Sequence, residues 1–217
     1  MVKRAIVRRF PVIMMADETV KAQHHTMASR LDRTVFNGAS ADDALFERFF
    51  ISDFSPGVSG ETIDEMNARL PEVLDEGGPF DIVIILGGTN DLGMRLDEDG
   101  EPLFSRLRSL HELALRHSPL SVAVTVPETG YETMDGYTVV RAKRLQVNAL
   151  LKNFVQQCGS KMLVSDLATK LPRESLSDED RRTLWADHLH FSPAGYDRMG
   201  EIIFEDIRHC LSKTLNA

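Results

Sequence analysis

The chain has 217 residues, 33 acidic and 25 basic, for a formal charge of −8. That length fits one domain with a full hydrophobic core, and the acidic balance argues against nucleic acid as a partner. Hydrophobic residues make up 42%, too many for a disordered chain, and no run approaches the ~18 apolar residues of a membrane span.

The chain opens on a basic stretch with four Lys or Arg in its first nine residues and no acid. The apolar run behind it is short and meets Asp17 and Glu18. A secretory leader has a longer apolar core, so the expected location is the cytoplasm, with a mitochondrial transit peptide as the other reading. Residues 12–15 are a strand candidate, with Pro11, which lacks a donor, marking a strand start or an edge. Residues 49–54 form a weaker candidate.

Thr62 and Glu65 have capping-box spacing. Ile63, Met66, Leu70 and Val73 then recur at helical steps. Residues 81–86 are nearly all apolar and β-branched, as expected of a central parallel strand buried on both faces. Leu103, Leu107, Leu110 and Leu113 form a second helical stripe, and residues 121–126 another strand. Val147, Leu151, Phe154 and Val155 form a third stripe before a strand at residues 161–164. Ser192-Pro193 reads as an N-cap and first helical residue, followed by Met199, Ile202, Ile203 and Ile207 of a closing helix. Cys158 and Cys210 read as reduced thiols near the core.

Strands alternating with helices predict a single α/β domain over residues 1–217, with a parallel sheet covered by helices on both faces and an atypical stretch over residues 1–50. Ligands in such folds bind beyond the carboxyl ends of the strands. Three segments there carry candidate chemistry. Gly57-Val58-Ser59-Gly60-Glu61-Thr62 opens a helix, and is either a site where glycine admits close backbone approach and free N–H groups meet a developing negative charge or a structural strand-to-helix turn. Gly87-Gly88-Thr89-Asn90-Asp91 follows the strongest strand, and its Asn90 amide is either an oxyanion donor or part of a turn capping the next helix. Asp187-His188-Leu189-His190 places a carboxylate three residues before an imidazole, so that one orients the other as a base. A metal reading of His188 and His190 needs more ligands, for which His24-His25 is the obvious source.

In this order the three segments resemble the SGNH hydrolases, or GDSL esterase/lipase family, over residues 52–217. The resemblance implies a flavodoxin-like three-layer α/β/α sandwich with a central parallel sheet of about five strands. It implies an acyl- or acetyl-ester hydrolase acting on a small-molecule or lipid ester without cofactor or metal. The site residues it implies are Gly60 and Asn90 as oxyanion donors, His190 as base and Asp187 as its orienting carboxylate. The family's Gly-Asp-Ser block is degenerate here. Asp17 aligns with its aspartate, and Glu18 stands where the nucleophilic serine belongs. Ser40, after Asn37-Gly38-Ala39, is the alternative nucleophile, only 20 positions before Gly60. Thr19, one position late, is a third. The alternative function is an SGNH-fold binding protein that has lost its nucleophile. The loops over residues 91–102 and 127–138 are the expected determinants of substrate choice. Tyr131, Met134 and Tyr137 in the second either line a pocket or anchor the loop. The acid clusters at residues 97–99 and 178–180 read as solvated surface.

Overall fold

The structure is a computed structural model that describes residues 12–16, 57–77 and 79–215. The sheet among these residues has four strands, all parallel and in sequence order: β1 (Val12–Ala16), β2 (Ile82–Leu86), β3 (Leu120–Val124) and β4 (Met162–Ser165). Register runs straight across, with Ala16 opposite Leu86, Ile85 opposite Ala123 and Ala123 opposite Val164. About five strands were expected; the candidate at residues 49–54 lies outside the described residues.

Two helical layers enclose the sheet. One face carries α1 (Ile63–Gly77), α3 (Gly100–His117) and α4 (Thr138–Cys158). Ile63, Met66, Leu70, Leu103 and Leu107 pack there on Val83 and Ile85. The other face carries the closing helix α7 (Pro193–Leu215), whose Met199, Ile202, Ile203 and Ile207 pack on Ile82, Ile84 and Leu86. Alternate side chains of β2 therefore enter two cores, and all five are buried, which explains its continuous apolar sequence. Short helices α2 (Thr89–Met94), α5 (Leu167–Lys170) and α6 (Asp178–Leu184) follow β2, β4 and the 171–177 connection.

The caps agree with the sequence. Glu65 accepts the Thr62 backbone N–H at 2.8 Å and the Thr62 hydroxyl at 2.6 Å. Ser192 Oγ accepts the Gly195 N–H at 3.1 Å. Residues 91–102 are not a loop as expected. They comprise most of α2, a short turn and the start of α3, where Asp99 accepts the Glu101 N–H as N-cap. The 97–99 cluster is correspondingly not merely solvated, since Glu98 pairs with Arg106 at 2.8 Å. Asp178, Glu179 and Asp180 do lie exposed, in the first turn of α6.

Candidate active site

The segments singled out by sequence lie beyond the carboxyl ends of β2 and β3. The first turns at Gly60, which has φ +78° and open space where a Cβ would project. Left-handed backbone of this kind costs glycine little and other residues about 1 kcal/mol or more. Glu61 next to it is buried and held by a bidentate pair, with Arg69 Nε and Nη2 donating at 2.7 and 2.6 Å. The loop end before α1 is therefore fixed by a strong two-point contact.

β2 ends at Leu86, and Gly88 (φ +108°) turns the chain into α2 without a side-chain cap. Asn90 and Asp91 occupy the first turn of α2, but Asp91 caps α1 rather than α2. Asp91 Oδ2 accepts the N–H of Ile63, at the start of α1, over 2.9 Å. Asn90 Nδ2 donates to the Glu61 carbonyl at 3.1 Å. Two adjacent side chains thus clamp the Gly60 loop to the end of β2. Asp91 is 1% exposed, with Arg106 Nε 3.7 Å and Arg95 Nε 3.9 Å from Oδ1. Burial pushes its carboxyl above the usual range, against the lowering effects of the Ile63 N–H and of the Arg106 and Arg95 guanidinium groups.

The third segment is a tight turn. Trp185 and Phe191 form an antiparallel bridge across it, with ring centroids 4.0 Å apart in the core under α7. Inside this closure, Asp187 Oδ1 accepts the N–H groups of Leu189 at 2.6 Å and His190 at 2.7 Å. Its Oδ2 lies 2.7 Å from His190 Nδ1. Partial burial raises the Asp187 carboxyl, but the His190 ring and these two backbone N–H groups outweigh it and hold it at about 2. An ionised Asp187 accepts from Nδ1–H, the tautomer that puts the imidazole lone pair on Nε2.

The loop leaving β3 meets this turn, since the Gly130 N–H donates to the His188 carbonyl at 2.6 Å. The Asp187–His190 pair is thereby attached to the β3 edge, and the Gly60–Asn90 pair to the edge of the neighbouring β2. Glu18, Thr19 and Ser40, and with them His24 and His25, lie outside the described residues; β1 ends at Ala16, opposite the last residue of β2. Among the described residues no group of three or more His, Cys, Asp or Glu is arranged to hold a metal ion, and no helix is long and apolar enough to cross a membrane.

The model of the GDSL-like Lipase/Acylhydrolase family matches residues 22–198. The chain belongs to this family. The match contains Ser40 and starts after Glu18. Solved structures share the fold at low identity. An alpha/beta hydrolase enzyme from the metagenome of Lake Arreo superposes with a TM-score of 0.68 at 16% identity, over 95% of this chain and 99% of the other. An acetylxylan esterase from Geobacillus stearothermophilus gives 0.66 at 17%, over 94% and 96%. A GDSL-like lipase from Bacteroides thetaiotaomicron gives 0.63 at 15%, over 99% and 93%. No curated protein matches the chain.

Several residues around the site escaped the sequence reading. The local sequence shows Asp91 only as part of a turn and gives no signal for Gly130, Arg144 or Arg173. Thr129 and Glu132 do carry a legible signal, because Thr-x-x-Glu is a capping box and both of its hydrogen bonds form in the turn Gly130–Thr133. Glu132 is also held by Arg144, with Nε donating at 2.7 Å and Nη2 at 2.9 Å. These contacts fix the base of the loop over residues 127–138, while Tyr131 and Tyr137 face outward, each 38% exposed, with rings 5.5 Å apart.

Proposed function

We propose that the protein is a carboxylic ester hydrolase working by acyl transfer, with His190 as general base, Asp187 as its orienting carboxylate, and Gly60 and Asn90 as oxyanion donors. The observation that carries this reading is the 2.7 Å contact of His190 Nδ1 with a strongly acidic Asp187 inside a family of acylhydrolases. His190 Nε2 takes the proton of a serine hydroxyl as that oxygen bonds to the ester carbonyl carbon. The negative charge on the carbonyl oxygen is met by the Gly60 N–H and the Asn90 Nδ2 amide. Collapse expels the alcohol, which receives the proton from His190. Water, deprotonated by the same imidazole, then releases the acid and restores the serine. No metal or organic cofactor enters these steps.

The nucleophile comes from the segment before residue 57. Ser40, which follows a glycine-containing turn sequence, is the alternative hydroxyl for this role, since Glu18 stands at the expected serine position. Glu18, at the expected serine position, supports the second reading: a catalytically impaired member that keeps the fold as a binding protein for a small-molecule or lipid ester. Losing the serine of a triad costs on the order of 10⁶ in turnover, so the two readings separate cleanly. Hydrolysis of p-nitrophenyl acetate by the purified protein, lost to background in His190→Ala with the fold retained, supports the hydrolase. Equal rates in the two proteins refute it. Cytoplasmic location stays part of the proposal and is read by imaging the tagged full chain.

A further inference from the structure

We propose that the loop behind β3 is a brace that sets the His190 turn over the sheet edge, with Gly130 and Arg173 as its positioning residues. The turn's internal hydrogen bonds fix Asp187 against His190 but not where the pair stands relative to Asn90. That position depends on the body behind it. Gly130 donates its N–H to the His188 carbonyl at 2.6 Å. Its Cα is wedged so closely that a Cβ at residue 130 would stand 2.6 Å from His188 Nδ1 and 2.8 Å from Arg173 Cζ. A larger residue there requires the His188 ring or the Arg173 guanidinium to shift, although the Gly130 backbone is not left-handed; the constraint is space.

Arg173 is the second part. It is 8% exposed, a degree of burial rare for a charged residue. Its guanidinium carbon lies 5.5 Å from the centre of the Trp185 ring, a cation–π distance, on the tryptophan that closes the His190 turn. Its Nη1 donates to Glu174 at 2.8 Å, while Nε is buried without a hydrogen-bond partner. An arginine with incomplete hydrogen bonding in such a place is held by packing, and what it packs between is Gly130 and Trp185.

The brace is tied into the fold at both ends. Glu174 N–H donates to Glu128 at 3.0 Å, and Arg144 reaches Glu128 at 3.4 Å besides its bidentate hold on Glu132. Arg181 fastens the other side by donating to the carbonyls of Arg173 and Leu176 at 3.2 and 3.1 Å. The contacts run without a gap from α4, through residues 128–132 and 173–174, to the turn that carries His190.

The test uses Gly130→Ala and Arg173→Met in the full chain. Ordinary contact begins near 3.4 Å, so the added methyl requires its neighbours to move by roughly 0.6–0.8 Å. The His188 ring is exposed, whereas the Arg173 guanidinium is buried against Trp185 and moves only by disturbing that contact. Misplacement on this scale costs about 10²-fold in a reaction that needs aligned groups. Expected are crystal structures in which the His190 imidazole is displaced from Asn90, an unchanged Asp187–His190 contact, and kcat lowered about 10- to 100-fold with KM little changed. An imidazole that does not move in either folded variant overturns the brace, and so does a displaced imidazole with full kcat. If Gly130→Ala fails to fold, Arg173→Met decides alone. The kinetic arm rests on the hydrolase reading, which fails separately if wild type and His190→Ala turn over equally. In that event the displacement still decides the proposal.

Discussion

His111 lies in the apolar stripe of α3, fully buried against β3. Its Nδ1 sits 2.8 Å from Ser121 Oγ, and its Nε2 is buried without a partner. A protonated ring would carry two N–H donors and a charge into a site that satisfies only one, and burial accordingly pushes its pKa down to about 3. The unfolded chain holds this imidazole near 6.5. Between those values the unfolded state binds the extra proton and the folded state does not, so stability falls as pH falls. From pH 7 to pH 5 this one residue removes about 2 kcal/mol, a figure that needs only a folded pKa well below 5. Urea titrations of wild type and His111→Leu at both pH values measure it, because all other titrating groups are common to the two proteins. Wild type should lose about 2 kcal/mol more than the variant on acidification. Equal losses refute the reasoning, since they would mean that His111 takes up its proton without unfolding.

Three further outcomes follow from the site. Asp187, held at about 2, contributes stability above the usual carboxylate value near 4, and that contribution is lost as pH falls from there through 2; emission of Trp185, the single tryptophan, should report the loosening of its turn in wild type and a flatter response in Asp187→Asn. Asn90→Ala removes one oxyanion donor and should lower kcat by about 10²–10³ in an ester assay; an unchanged kcat would remove Asn90 from the mechanism. Asp91→Ala leaves the Ile63 N–H without its acceptor and should cost about 1–3 kcal/mol in denaturant titrations; a change below ~0.5 kcal/mol would mean that the clamp on the Gly60 loop carries no stability.

Much of the fold was legible because local pattern and tertiary role agree. The apolar run of β2 belongs to a strand buried on both faces, and the stripes of α1, α3 and α7 each face one core. The Asp187–His190 contact was legible for a similar reason, since it is made within one turn. What escaped was long-range. Asp91 and Ile63 are 28 residues apart, and no local spacing shows that one caps the other's helix. Residues 91–102 look like a loop because Gly93 and an acidic run interrupt the apolar pattern, yet Asp99 followed by Pro102 in the first turn is a helix start that composition concealed. Within residues 127–138, Thr129-x-x-Glu132 was readable, whereas its partner Arg144 on α4 was not. His111 hid among leucines of its own stripe, where a buried polar residue has no sequence signature.

The proposed mechanism stands on His190 serving an activated serine. Treating the folded protein with a fluorophosphonate and mapping the adduct by mass spectrometry tests it most directly, because the reagent needs no knowledge of the natural ester. One modified serine is expected, Ser40 or another, whose labelling is abolished in His190→Ala. A folded protein that takes up no label, or is labelled equally without His190, would contradict it and leave the fold as a binding scaffold with Glu18 in the nucleophile's place.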